Sequence, residues 1–223
     1  MNLALFDLDH TLIPFDSGMA WTQFLVAQGV LPEQAEAQYL AFCHQYVAGT
    51  LDIHAMHRAS LMPLVRHSCA QRESWALAFE LAMAPRIPAT MQALVRRHRD
   101  AGDLCAIVTA TERFIAEPFG RLFGIEHVLA THAATVGSQP DAALTGEIDG
   151  EPCFREHKLT HVERWLALRQ MNLESFEKSW FYSDSASDLP LLGAVSHPVA
   201  VHPDERLMAH ARAAGWRVLM RAE

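Results

Sequence analysis

Leu3-Ala4-Leu5-Phe6-Asp7-Leu8-Asp9-His10-Thr11 opens the chain, and the reading of this stretch decides the fold. Four apolar residues in a row, with no alternation, read as a strand buried on both faces of a parallel sheet. Open sheets of that kind gather their ligands beyond the carboxyl ends of the strands, which is where Asp7 and Asp9 stand. Two carboxylates so close repel, so they need a cation or a shared proton to sit together. A hard divalent ion with oxygen ligands meets that need. The pair therefore points to phosphate chemistry.

Working outward, the chain changes character twice. From Ser17 to Met83 the periodicity predicts helices over 17–28, 32–47, 52–67 and 70–83 and no strand. Pro32 suits a first helical turn, and Gly29 and Gly49 suit helix ends. Beyond Pro85 and Pro88, helix and strand alternate. Helices are predicted over 90–99, 113–123 and 158–169, and strands over 104–109, 127–130, 180–183, 198–201 and 216–220. The Gly- and Asp-rich segment 135–153, with Pro140 and Asp149-Gly150, predicts a surface excursion holding a hairpin or turn. Such alternation gives an α/β fold, a doubly wound, Rossmann-like parallel sheet with helices on both faces. The expected core is residues 1–13 and 86–223, with residues 14–85 inserted as an all-helical cap. A cap beside the acidic strand end can exclude water and select substrate.

The totals remove several function classes. A net charge of -8 over 223 residues argues against a nucleic-acid partner, which needs a basic face. The four cysteines form no C-x-x-C pair, so neither a zinc ribbon nor a dithiol redox motif is supported. No basic region precedes the first apolar run, and no run nears the roughly 18 residues of a membrane span. A cytoplasmic protein with free thiols and no membrane partner is expected.

Alone, Asp-x-Asp is weak, because an acidic turn arises by chance. Three further elements follow it in order. Thr109 ends an apolar strand, where a hydroxyl can donate to a phosphate oxygen without adding charge; a β-branched residue also simply finishes a strand well. Lys158 opens a helix, an unfavourable place for a cation unless an anion lies near; the alternative is a solvated lysine. Ser183-Asp184-Ser185-Ala186-Ser187-Asp188 follows an aromatic strand. Ser185 with Asp188 fits a variant capping box, which leaves Asp184 at a strand tip unexplained.

The set resembles the haloacid dehalogenase-like superfamily of aspartate-nucleophile phosphohydrolases. The matching residues are Asp7-x-Asp9-x-Thr11, Thr109, Lys158 and the Asp184-Ser-x-x-Asp188-Leu-Pro stretch. The helical insert is similar to that of subfamily IB, which includes phosphoserine phosphatases and members described as histidinol-phosphatase-like. Thr145-Gly146-Glu147-Ile148 and Val201-His202-Pro203-Asp204 add to the match. The resemblance implies that Asp7 is the nucleophile and Asp9 the general acid/base. It implies that Thr109, Ala110 and Lys158 hold the phosphoryl group, and that Mg²⁺ is held by Asp7, Asp184 and the Asp9 carbonyl. Asp188 and Thr11 would support the site. Where phosphoserine enzymes carry Ser-Gly-Gly, this chain has Thr109-Ala110-Thr111. Arg58 lies in the helix that supplies a carboxylate-binding arginine in those enzymes, and Asp16 lies near their amine-binding acid; an acid also simply suits a helix start.

The expected activity is Mg²⁺-dependent hydrolysis of a small phosphomonoester, through an aspartyl-phosphate. A phosphotransferase, or a signalling module that keeps the phosphate, is the alternative. The second needs no cap, and Asp9 makes a lasting phosphoenzyme less apt. His157 and His161 have a spacing that zinc uses, but no third ligand is at hand. His54 and His57 read as a solvated or partly buried pair.

Overall fold

The computed structural model of the protein describes residues 1–137, 139 and 141–220. Pro140 in the predicted excursion and the last three residues of the predicted core range lie outside these. Six parallel strands form one sheet: β1 (Leu3–Phe6), β2 (Leu104–Glu112), β3 (His127–Thr131), β6 (Ser179–Ser183), β7 (His197–Val201) and β8 (Arg217–Leu219). Their order is β3-β2-β1-β6-β7-β8, so the chain winds outward in one direction from β1 and then in the other. The order reverses between β1 and β6, and a doubly wound sheet opens its binding crevice at that point.

Alternate residues of each strand face opposite sides. Ala4 and Phe6 of β1 join one apolar cluster, and Leu3 and Leu5 join the other. The second cluster is closed by α7 (His157–Ala167), α8 (Leu189–Leu192) and α9 (Glu205–Ala214). The first is closed by α5 (Ala89–Asp100) and α6 (Arg113–Phe123), and also by three helices of the insert, α1 (Ser17–Ala27), α3 (Ile53–Leu61) and α4 (Cys69–Met83); α2 (Gln34–Ala48) buries no residue and adds none to the cluster. Phe79 of α4 is fully buried and meets Trp21 of α1 edge-on at 5.1 Å and Phe119 of α6 at 5.8 Å. Insert and sheet thus share one hydrophobic cluster.

Two local expectations are corrected, and the predicted excursion does hold a hairpin. β2 does not stop at Thr109. Its register with β3 shifts between Val108 and Glu112, and the strand resumes with Glu112 opposite Thr131; the bulge is stabilised by the Thr131 hydroxyl donating to the Ala110 carbonyl at 2.8 Å. The helix predicted over 52–67 breaks at Leu61 into a 3₁₀ turn over Met62–Leu64, because Pro63 has no N–H to give. The hairpin is β4 (Ala133–Thr135) with β5 (Leu144–Ile148). Asp149-Gly150 is the turn by which the chain leaves it. This hairpin rests on the insert. A Cβ at Gly146 would overlap the Met62 sulfur, and the positive φ there adds a second reason for glycine.

Candidate active site

The site grows from the end of β1. The Asp7 N–H donates to the Tyr182 carbonyl of β6 at 2.9 Å, the last ladder bond before the strands part. Residues 8–12 then form one wide turn, extended at Asp9 and left-handed at His10 (φ 57°). This kink sends Asp7 and Asp9 to different partners. Lys158, in the first turn of α7, is 4% exposed, and its Nζ lies 2.7 Å from Asp7 Oδ1 and 2.7 Å from Asp188 Oδ2. Ser183 Oγ donates to the same Asp188 oxygen at 2.7 Å. The Thr11 hydroxyl lies 3.2 Å from Asp7 Oδ2 and 3.3 Å from Asp184 Oδ1, a single donor drawing two carboxylates together.

Three carboxylates therefore face one ammonium. Burial works to discharge Lys158, but Asp188 and Asp7 outweigh it and keep its pKa well above the ordinary value. Burial raises Asp7 against the pull of Lys158. Asp184 is pushed up to about 8, by burial first and then by Asp7 and Asp188. Asp188 Oδ1 is buried and has no hydrogen-bond partner. An all-oxygen cluster with an excess of negative charge and an unmatched carboxylate oxygen fits a hard divalent cation; softer nitrogen or sulfur ligands are not part of it.

Asp9 lies on the other side. Its Oδ1 accepts from the Ser17 N–H at 2.6 Å and its Oδ2 from the Thr111 hydroxyl at 2.7 Å. Burial, with Asp16 adding to it, raises its pKa to about 6 against these hydrogen bonds. A carboxyl in that range can both give and take a proton near neutrality.

Asp7, Asp9, Asp16, Thr109, Ala110, Lys158, Asp184 and Asp188 line one chamber of about 520 Å³, roofed by side chains of the insert such as Met19, Tyr39, Tyr46 and Met56. Asp16 caps α1 through the Met19 N–H at 2.7 Å and accepts from the Tyr39 hydroxyl at 2.9 Å. Gly18 makes that approach feasible, since a Cβ there would overlap the Tyr39 hydroxyl. Tyr46 closes the rim, its hydroxyl 2.7 Å from Ser185 Oγ and 3.1 Å from Ser187 Oγ.

Arg58 does not join them. Its guanidinium holds Glu147 of β5 through two bonds of 2.6 and 2.9 Å, at the surface. A bidentate carboxylate partner satisfies the fork where it stands. Nor do Ser185 and Asp188 form a capping box: Ser185 Oγ accepts from the Ser187 N–H, while Asp188 is taken by Lys158 and Ser183. His57 is fully buried against Glu112, Nδ1 to Oε1 at 2.9 Å, where solvation or partial burial was expected. Ser17, Tyr39, Tyr46, Thr111 and Ser183 join the site without a role predicted from the sequence. Only Thr111 and Ser183 carried a local signal, standing beside Thr109 and Asp184.

Comparison with known proteins places the chain in a family. The profile of the haloacid dehalogenase-like hydrolases matches residues 4–193. A histidinol-phosphatase of Neisseria meningitidis is 42% identical over 220 residues, 98% of either chain. A phosphoserine phosphatase of Mycobacterium tuberculosis is 32% identical over 96% of this chain and 69% of its own. Among solved structures, a Bordetella pertussis protein described as of unknown function is 40% identical, with a TM-score of 0.89 over 98% of this chain and 97% of its own. A phosphoserine phosphatase carrying a phospho-aspartyl intermediate analogue shares the fold at 16% identity, with a TM-score of 0.64 over 99% of this chain and 93% of its own. The doubly wound sheet with its acidic switch point is that of a hydrolase. The chain belongs to the haloacid dehalogenase-like hydrolases, and stands there among the phosphatases. Among the described residues no helix is long and apolar enough to cross a membrane.

Proposed function

We propose that the protein hydrolyses a small phosphomonoester by way of an aspartyl-phosphate on Asp7, with Mg²⁺ as cofactor. The observation that carries this reading is Lys158 Nζ at 2.7 Å from both Asp7 and Asp188, on the floor of a roofed chamber. An ammonium so placed offsets the repulsion between a carboxylate nucleophile and a phosphate dianion. Mg²⁺, held by the Asp7 and Asp184 side chains and the Asp9 carbonyl, would supply further positive charge against the phosphoryl oxygens. Thr109 Oγ1 accepts from the Thr111 N–H at 3.2 Å, so its own proton is free for a phosphoryl oxygen.

Two displacements complete the cycle. Asp7 attacks phosphorus, and the ester oxygen departs with its electron pair and the Asp9 proton as the free alcohol. Water then gives a proton to Asp9 and attacks the same phosphorus, releasing inorganic phosphate and Asp7. Splitting one hard displacement in two lowers each barrier. The domain division that serves this scheme is a core of residues 1–13 and 86–223 and a cap of 14–85, with the hairpin docked on the cap.

The substrate reading follows from charge. Lys158 is the sole Lys or Arg among the described residues that line the chamber, and it is already engaged. A substrate carboxylate would find no cation on the cap side, whereas Asp16 offers an ammonium a partner. A cationic amino alcohol phosphate fits better than phosphoserine, in keeping with the Neisseria relative. The test is phosphate release from L-histidinol phosphate and from O-phosphoserine, with Mg²⁺ and with excess chelator. Preference for histidinol phosphate, lost with chelator, is expected. Equal rates on the two esters would remove the substrate reading, and full activity in chelator would remove the metal.

A further inference from the structure

The hydroxyls of Thr111 and Ser17 have no part in the proposed cycle, yet these two residues are what holds Asp9. The Thr111 hydroxyl donates to Asp9 Oδ2 at 2.7 Å, and the Ser17 N–H donates to Asp9 Oδ1 at 2.6 Å. The two hydroxyls, Ser17 Oγ and Thr111 Oγ1, lie 3.1 Å apart. A hydroxyl has one proton to give. Thr111 gives its proton to Asp9, so Ser17 is the donor to Thr111 and the chain of bonds runs one way. Both residues are buried.

The bulge in β2 explains how one short segment serves two ends of the reaction. Thr109 and Thr111 both line the chamber. Thr109 faces the phosphoryl site, and Thr111 reaches Asp9, which the wide turn after β1 has carried away from Asp7. The Thr111 N–H also donates to Thr109 Oγ1 at 3.2 Å, so the two threonines are set relative to each other.

We infer that Thr111, backed by the Ser17 hydroxyl, is a positioning residue that aims the Asp9 carboxyl at the departing ester oxygen. This deepens the phosphatase reading and rests on it. When Asp7 bonds to phosphorus and the phosphorus–oxygen ester bond breaks, the oxygen keeps the electron pair. An alkyl ester leaves as an alkoxide and needs the Asp9 proton at that moment. A 4-nitrophenyl ester leaves as a stable phenolate and does not. Both esters give the same phosphoenzyme and share the water step, but kcat/KM reports the first displacement, where misaiming Asp9 separates the two kinds of substrate and a general loss of packing does not.

The test compares kcat/KM for L-histidinol phosphate and 4-nitrophenyl phosphate in the Mg²⁺-loaded full chain. Thr111→Val keeps the branched shape and removes the hydroxyl; Thr111→Ser restores the hydroxyl. Thr111→Val is expected to lose about 10²-fold on the alkyl ester, through kcat rather than KM, with a loss at least about tenfold smaller on the aryl ester. Thr111→Ser is expected to recover most of the alkyl activity. Equal losses on both esters, a change confined to KM, or no loss would overturn the inference while leaving the phosphatase reading intact. Wild-type protein releasing phosphate from neither ester would remove that reading and this inference with it. Should Thr111→Val fail to fold, Ser17→Ala carries the same comparison, because it deletes the hydroxyl donor to Thr111 and keeps the N–H on Asp9.

Discussion

At the scale of single residues, Lys158 balances charges that would not otherwise stay buried. Its ammonium serves Asp7 and Asp188 at 2.7 Å each, and all three are buried. Removing one partner of a buried ionic group leaves the others uncompensated. Lys158→Met is expected to lower stability by about 3–5 kcal/mol at neutral pH, read by urea unfolding, and to abolish turnover. A variant as stable as wild type would show that Asp7 and Asp188 do not depend on the ammonium. Asp184 sets a pH signature. Its pKa stands at about 8 in the fold against an ordinary 3.8. The folded state therefore binds a proton there that the unfolded chain releases. That contribution is complete below the ordinary value and is lost as pH rises through about 8. In chelator, the melting temperature is expected to fall between about pH 4 and pH 8, with Mg²⁺ restoring more at the higher pH; Asp184→Asn should flatten the slope. An unchanged slope in that variant would move the effect to another group.

At the scale of elements, what was legible followed from local rules. The unalternating run of β1 announced a strand buried on both faces, and all four of its residues are fully buried. Helical periodicity located α1, α2 and α4, whose ends are marked locally by the Asp16 cap of α1, Gly49 after α2 and the Ser68 cap of α4. What escaped depends on partners remote in the chain. Arg58 found Glu147 on a hairpin 89 residues away, and nothing near Arg58 encodes that. The β2 bulge is settled by the Thr131 hydroxyl on the neighbouring strand. Ser17 met Asp9 only because the turn over residues 8–12 brings the start of α1 back. Asp7, Thr109, Lys158 and Asp184 were readable because a charged or hydroxyl residue at the end of an apolar strand, or a cation at a helix start, breaks a local rule. One element also carries the union of insert and sheet. Phe79 of α4 touches Trp21, Phe24 and Phe119. Phe79→Ala is expected to cost about 3–5 kcal/mol, measured by urea unfolding, since the cavity opens between two elements that cannot both collapse into it. A loss below about 1 kcal/mol would mean that the insert is held elsewhere.

At the scale of the whole molecule, the order of strands does the assembling. Side chains at positions 7, 9, 109, 158, 184 and 188 converge because β1, β2 and β6 are neighbours and their connections meet at the carboxyl edge. The insert follows β1 directly, so its helices roof that edge, and the apolar cluster it shares with the sheet keeps it there. The arrangement combines a cation-balanced acidic floor, a carboxyl held by two hydrogen bonds at its side and a largely apolar roof that, among the described residues, brings no second lysine or arginine. In the proposed cycle Asp7 receives the phosphoryl group. Wild-type protein quenched during turnover of a ³²P-labelled ester, reduced with borohydride and cleaved into peptides tests it most directly. Label is expected in the quenched protein and reduction only in the peptide containing position 7, with neither in Asp7→Asn. Label on another residue, or turnover retained by a folded Asp7→Asn variant, would contradict it.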